Sequence, residues 1–135
     1  MRIKFQRHRH DTVESCMSTS LLTASAEDGL IETAHRMAER RVGAVLVTEG
    51  ERLIGILTER DVLRAVGGGS IEGTIAPWMT RDPITVEPSA THGEAAMMMI
   101  HGGFRHVPIV DHGELVGIVS IRDLLILPST APAGV

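Results

Sequence analysis

The chain has 135 residues, of which 43% are hydrophobic and 22% charged, and its formal net charge is −4. This composition is typical of a soluble globular protein, and the length suits one compact domain or two half-sized units that share a core. One Trp, two Phe and no Tyr argue against an aromatic cage or a base-stacking platform, and the acidic balance disfavours a nucleic-acid groove.

Residues 1–12 form a basic segment that contains Arg2, Lys4, Arg7 and Arg9. It is either a solvated tail or an arm that contacts a polyanion or a partner protein. His8 and His10 have no further ligand beside them, so we do not predict a metal site there. Because the segment lacks an apolar core and no run of the chain approaches 18 apolar residues, we expect neither a signal peptide nor a membrane span.

Cys16 is the only cysteine, so no intramolecular disulfide is possible. This fits a reducing compartment, and we expect the protein in the cytoplasm. No base lies near Cys16 in the sequence, which favours a buried structural thiol over a nucleophile.

An internal repeat organises the rest of the chain. When the sequence is shifted by 62 positions, Glu32 falls on Glu94, Gly55 on Gly117 and Asp61 on Asp123, and most other pairs keep their character. Identities at one fixed offset indicate a duplicated structural unit. We therefore predict two repeats, residues 13–68 and 69–127, followed by a flexible tail at 128–135.

Each repeat reads as β-α-β-β-α. In the first, a short strand at 22–24 precedes a helix with apolar residues at helical spacing from Leu30, then a hairpin around Glu49–Glu51 and a second helix from Thr58. The second repeat gives the same order, with strands at 84–86, 107–110 and 115–119 and helices from Thr91 and Ser120. The glycine-rich residues 67–70 predict a flexible joint between the repeats.

The junction between the last strand and the last helix of each repeat carries candidate chemistry. Unpaired N–H groups at a helix start favour an anion, and a Thr58 or Ser120 hydroxyl can donate to a phosphate. The Asp61 and Asp123 carboxylates suit ribose hydroxyls instead. The same Thr/Ser-x-x-Asp spacing also forms a helix cap worth about 1 kcal/mol without any ligand. The two interpretations are compatible.

The duplicated Gly-apolar-apolar-Thr/Ser-x-x-Asp segments, 55–61 and 117–123, resemble the signature of the CBS domain, named for cystathionine β-synthase. Residues 79–83 and 105–111 resemble the family's repeat entry and middle strand. The resemblance implies a tandem CBS pair, or Bateman module: an α+β fold of two β-α-β-β-α repeats packed as a pseudo-two-fold pair through their sheets. It also implies clefts between the repeats that bind AMP, ADP, ATP, S-adenosylmethionine or NAD, and homodimers.

The resemblance further implies two unequal sites. The stronger would have basic residues facing the phosphates and a short strand beside the base: Leu22, Thr23, Arg105, His106, Ser120, Arg122 and Asp123. Strand alternation sends Arg105 and His106 to opposite faces unless the strand starts after them, so His106 is either a phosphate donor or a residue that packs within the strand. The weaker site would comprise Thr58, Arg60, Asp61, Ile84, Thr85 and Val107, and it has Gly43-Ala44 where the other has its basic pair.

No residue set resembles a catalytic or metal centre. We therefore expect a regulatory, non-catalytic protein that requires no cofactor, binds adenine nucleotides and signals energy or metabolite state to a protein partner. The alternative is a ligand-indifferent CBS protein that dimerises or docks, with the two motifs serving only as caps.

Overall fold

The computed structural model describes residues 11–125. Within this range a short 3₁₀ helix, Val13–Ser15, precedes four helices and six strands. The helices are α1 (Leu30–Arg40), α2 (Glu59–Gly67), α3 (His92–Gly102) and α4 (Ile121–Leu125). The strands are β1 (Thr23–Ala24), β2 (Ala44–Glu49), β3 (Arg52–Thr58), β4 (Thr80–Arg81), β5 (His106–Asp111) and β6 (Glu114–Ser120). The α+β class and the duplicated order are confirmed, although the predicted strand at 84–86 is reduced to a single bridge between Val86 and Ile109.

The chain divides into two compact units, and the first is residues 20–84 with 113–115, hereafter the first-repeat unit. Its sheet has the order β1-β2-β3-β4, with β1 parallel to β2 and the other neighbours antiparallel. The apolar runs of β2 and β3 pack against α1 and against the segment that follows α2. Leu30, Val45, Leu57 and Ile75 are fully buried in this core.

The described part of the second-repeat unit is residues 11–19, 85–112 and 116–125. The antiparallel strands β5 and β6 form its sheet, and single bridges add Val86 in parallel to Ile109 and Ser18 in antiparallel to Ile118. Val13, the first residue of the first repeat, is fully buried in this core with Val107 and Val119.

Each unit is therefore completed by the opening residues of the other repeat, and the glycine of the duplicated motif makes room for them. A Cβ on Gly55 would lie 2.9 Å from Met79 Sδ and 3.0 Å from the Thr80 carbonyl oxygen. A Cβ on Gly117 would lie 2.5 Å from Met17 Sδ. Only glycine lets the incoming chain approach the strand this closely.

Residues 67–70, which were expected to form a flexible joint, are partly included in α2 and partly hydrogen-bonded to it. Gly67 is the last residue of that helix, and the N–H groups of Gly68, Gly69 and Ser70 donate to the carbonyls of Arg64, Val66 and Ala65. The basic segment up to residue 10, with His8 and His10, and the tail at 128–135 lie outside the described residues. Within residues 11–125, no helix has the length and apolarity needed to cross a membrane.

Candidate functional site

The start of α2 is a complete capping box. The N–H of Asp61 donates to Thr58 Oγ1 at 3.4 Å, and the N–H of Thr58 donates to Asp61 Oδ2 at 2.9 Å. The Thr58 hydroxyl lies 3.1 Å from the same Oδ2. Extended backbone at Thr58 followed by helical residues places both side chains at the junction of β3 and α2. Asp61 is only 8% exposed, so the helix start holds a nearly buried acidic group.

The second oxygen of Asp61 is also occupied. Arg64 Nη1 donates to Asp61 Oδ1 at 3.0 Å, and the Arg64 guanidinium carbon lies 5.6 Å from the centroid of the Trp78 ring. Sequence reasoning missed Arg64, although its spacing of three residues from Asp61 is that of a helical ion pair. Arg60, a predicted residue of the weaker site, is exposed on the first turn of α2.

The start of α4 repeats the cap without the arginine. The N–H of Ser120 donates to Asp123 Oδ2 at 2.8 Å, and the N–H of Asp123 donates to Ser120 Oγ at 3.2 Å. No described residue forms a hydrogen bond or an ion pair with Asp123 Oδ1. The position equivalent to Arg64 in the sequence is Ile126, which has no charge. Asp123 is half-buried and Arg122 exposed, so the second-repeat motif is the more accessible of the two.

Arg105 is brought beside this second motif. Its carbonyl accepts from the N–H of Ile121, the first residue of α4, at 2.9 Å, just as Gly43 accepts from Glu59 in the first repeat. β5 begins at His106, so the exposed Arg105 precedes the strand. The alternation of side chains between the two faces of the strand therefore does not apply to Arg105. The second-repeat unit thus places the backbone of Arg105 beside the start of α4, with His106 next in the chain as the first residue of β5.

The remaining predicted site residues differ in how far their side chains are exposed to solvent. Thr23, Ile84 and Thr85 are exposed, whereas Leu22 is 7% exposed and Val107 fully buried, each within the core of its own unit. Leu22, Thr23 and Ile84 belong to the first-repeat unit, and Thr85 and Val107 to the second-repeat unit. A ligand beside Leu22 or Val107 would meet backbone, because their side chains are used for packing.

A histidine that is distant in the sequence lies beside Cys16. Its Sγ lies 3.4 Å from His92 Nε2, and the thiol is half-buried instead of buried. That nitrogen also lies 3.0 Å from the carbonyl oxygen of Thr12, which only accepts, so Nε2 carries the proton. Burial, together with the Asp123 carboxylate, raises the pKa of the Cys16 thiol. Both effects favour the protonated thiol, so this environment does not activate Cys16 as a nucleophile.

An open groove of about 900 Å³ lies in the second-repeat unit between residues 85–90 and α3. Thr85, one of the predicted ligand contacts, lines it, together with Val86 and Met97. The groove thus places one predicted contact beside an apolar wall. Within residues 11–125, no group of three or more His, Cys, Asp or Glu side chains is arranged to hold a metal ion.

The capped junction of strand and helix occurs once in each repeat, and a known family model also matches the chain twice. The model of the CBS domain matches residues 13–68 and 73–129. The chain belongs to the CBS domain family. An uncharacterized 17.7 kDa protein of Acidianus ambivalens is 34% identical over 114 residues, covering 83% of this chain and 70% of that protein. Some relatives are much longer: the chain spans 23% of the CBS domain-containing protein CBSCBSPB5 of Arabidopsis thaliana.

Solved structures agree with this assignment and include ligand complexes. The CBS domain protein PAE2072 from Pyrobaculum aerophilum, complexed with AMP, is 32% identical, with a TM-score of 0.79 over 85% of this chain and 91% of that chain. The CBS domain pair of protein MJ0100, in complex with 5′-methylthioadenosine and S-adenosyl-L-methionine, is 27% identical, with a TM-score of 0.79 over 84% and 92%. This CBS protein is therefore similar to CBS proteins solved with adenosine-containing ligands.

Proposed function

We propose that this CBS protein is a regulatory, non-catalytic sensor that binds adenosine-containing ligands at the starts of α2 and α4. The observation that carries the proposal is the duplicated cap: in both repeats a Thr or Ser and an Asp are held together where the strand meets the helix. Support also comes from the AMP complex of PAE2072 and the S-adenosyl-L-methionine complex of MJ0100.

At the second-repeat motif, Asp123 Oδ1 accepts a ribose hydroxyl while Oδ2 keeps the cap. An anionic phosphate would be repelled by this carboxylate, so it lies on the side of the exposed guanidinium groups of Arg105 and Arg122. His106 and the Ser120 hydroxyl are further donors toward phosphate. The family resemblance implies that Thr23 and the backbone of Leu22 would lie beside the base. The scarcity of aromatic residues would leave recognition of the base to peptide groups and aliphatic side chains.

At the first-repeat motif, Thr58, Arg60 and Asp61 would take the same roles, with Ile84 and Thr85 beside the base and Val107 contributing backbone. We propose that this site binds phosphorylated ligands more weakly. Gly43 and Ala44 supply no cation at the positions that correspond to Arg105 and His106. Both carboxylate oxygens of Asp61 are already engaged, whereas Asp123 Oδ1 has no partner among the described residues.

Ligand binding would then shift the population of conformations that a protein partner reads in the cytoplasm. Apolar side chains exposed on the helices suggest that the chain also self-associates as a homodimer. They are Ile31, Leu63 and Val66 in the first-repeat unit, and Met97, Ile100 and Leu125 in the second-repeat unit. The same helices serve the alternative function, a docking protein whose motifs act only as caps.

A thermal-shift panel with AMP, ADP, ATP, S-adenosylmethionine and NAD separates the two functions. A ligand at 100 times its Kd stabilises the folded protein by about 2.7 kcal/mol. For a chain of this size, that shift raises Tm by several degrees. A raised Tm with at least one ligand supports the sensor. An unchanged Tm with all five, in a protein that still dimerises, supports the docking protein.

A further inference from the structure

We propose that Arg64 is an internal competitor for ligand at Asp61, and that it raises the concentration at which the first-repeat site fills. This inference rests on the proposed function. It adds a specificity-determining residue, Arg64, that lies outside the duplicated segments 55–61 and 117–123. It follows from the way in which the two oxygens of Asp61 are used.

A ribose diol and Arg64 need the same atom. Asp61 Oδ2 accepts from the N–H and lies against the hydroxyl of Thr58, and both contacts hold the start of α2. Oδ1 is the only oxygen outside the cap, and Arg64 Nη1 lies 3.0 Å from it. With the carboxylate nearly buried, there is little room for arginine and sugar together. A ligand hydroxyl therefore has to displace either the guanidinium or the cap, and the guanidinium, whose side chain is 59% exposed, is the easier to move.

Trp78 gives the displaced arginine an optical signature. The Arg64 guanidinium stacks on the Trp78 ring, and Trp78 packs against the core of the same unit from the segment between α2 and β4. When Arg64 leaves Asp61, its position over the indole changes, and so does the polarity around the ring. Because Trp78 is the only tryptophan of the chain, all tryptophan emission comes from the ring on which Arg64 stacks.

The second repeat is a natural control within the same chain. Asp123 stands in an equivalent cap, but the residue three positions later is Ile126 instead of arginine. The substitution Arg64→Leu therefore gives the first-repeat motif an aliphatic residue at the position where the second motif already has one. Leucine is chosen over isoleucine because it is the better helix former and Arg64 lies within α2. The substitution leaves Thr58, Asp61 and the cap unchanged.

The test measures adenosine and AMP binding by calorimetry in an Asp123→Asn background, which leaves the first-repeat site to be observed. We expect Arg64→Leu to bind adenosine about two- to fivefold more tightly, the range that corresponds to loss of one ion pair whose arginine is exposed to solvent. Adenosine carries no phosphate, so the gain is separated from the loss of a cation near phosphate. Arg52→Leu, which removes an exposed arginine elsewhere in the unit, is the control and should bind as the parent does. Arg64→Gln should fall between the parent and Arg64→Leu.

Trp78 emission supplies the second readout. In the parent, adenosine should change the emission, and in Arg64→Leu the change should be lost although binding is tighter. If adenosine binds the parent and Arg64→Leu equally, or binds Arg64→Leu less tightly, the inference is wrong while the proposed function stands. If neither adenosine nor AMP binds any variant or the unsubstituted protein, the proposed function fails and the inference fails with it.

Discussion

Gly55→Ala tests whether the segment at Met79 and Thr80 packs as closely against β3 as it does in the structure. The new Cβ would lie 2.9 Å from Met79 Sδ and 3.0 Å from the Thr80 carbonyl oxygen. The sulfur belongs to a buried side chain, and the oxygen is backbone that β4 holds in the sheet. Overpacking of this kind costs about 1–3 kcal/mol, and the lower chain entropy of alanine offsets about 0.4–1 kcal/mol of it. We therefore expect a net loss of about 0.5–2 kcal/mol.

The assay is thermal unfolding followed by circular dichroism. The expected loss lowers Tm by roughly 2–10 °C for a chain of this length. Gly67→Ala is the matched control, because it lies at the end of α2 and its Cβ would meet nothing within 4 Å. It should be neutral or raise the stability by up to about 1 kcal/mol, as alanine does in a helix. If Gly55→Ala is as stable as Gly67→Ala, then Met79 and Thr80 do not pack this closely on β3, and the close approach does not require glycine at position 55.

Two further predictions concern the second-repeat unit. Thr91→Ala removes the hydroxyl that accepts from the N–H of Glu94 at 3.1 Å, and should lower the free energy of unfolding by about 1 kcal/mol, with Thr91→Ser restoring most of it. A melt in which alanine and serine behave alike would contradict the cap. Burial raises the pKa of the folded Cys16 thiol, so its contribution to stability is fully present below the unfolded pKa of about 8.5 and is lost as pH rises through the folded value. Above about pH 8.5, Tm should therefore fall more steeply in the native protein than in Cys16→Ser, and parallel pH profiles would show that the thiol is not desolvated.

Local patterns in the sequence predicted most of the elements but not the way in which the units are completed. The 62-residue offset and the apolar periodicity placed both hairpins and the helices to within a few residues. No sequence pattern indicated that Thr80–Arg81 joins the sheet of the first repeat, or that Ser18 bridges to Ile118. Two-residue strands and single bridges have no periodicity, and their partners are chosen by long-range packing.

In the candidate site too, contacts between residues close in sequence were predictable, and contacts between distant residues were not. The caps at Thr58 and Ser120 follow from spacing alone, because both partners lie three residues apart. The proximity of His92 to Cys16 does not, since 76 residues separate them. Arg64 is an intermediate case: the local spacing offers the ion pair with Asp61, but only the structure shows that the cap has already taken the other oxygen.

The most direct test of the central claim is calorimetric titration of AMP into the native protein, Asp123→Asn and Asp61→Asn. Loss of a hydrogen bond to a charged carboxylate costs about 1.5–3 kcal/mol, which is roughly a 10- to 100-fold change in Kd. We predict that Asp123→Asn weakens the tighter AMP binding by that factor and that Asp61→Asn leaves it in place. Tight binding that survives Asp123→Asn but is lost in Asp61→Asn would reverse the order of the two sites. Binding that neither substitution affects would contradict the assignment of AMP to the capped helix starts.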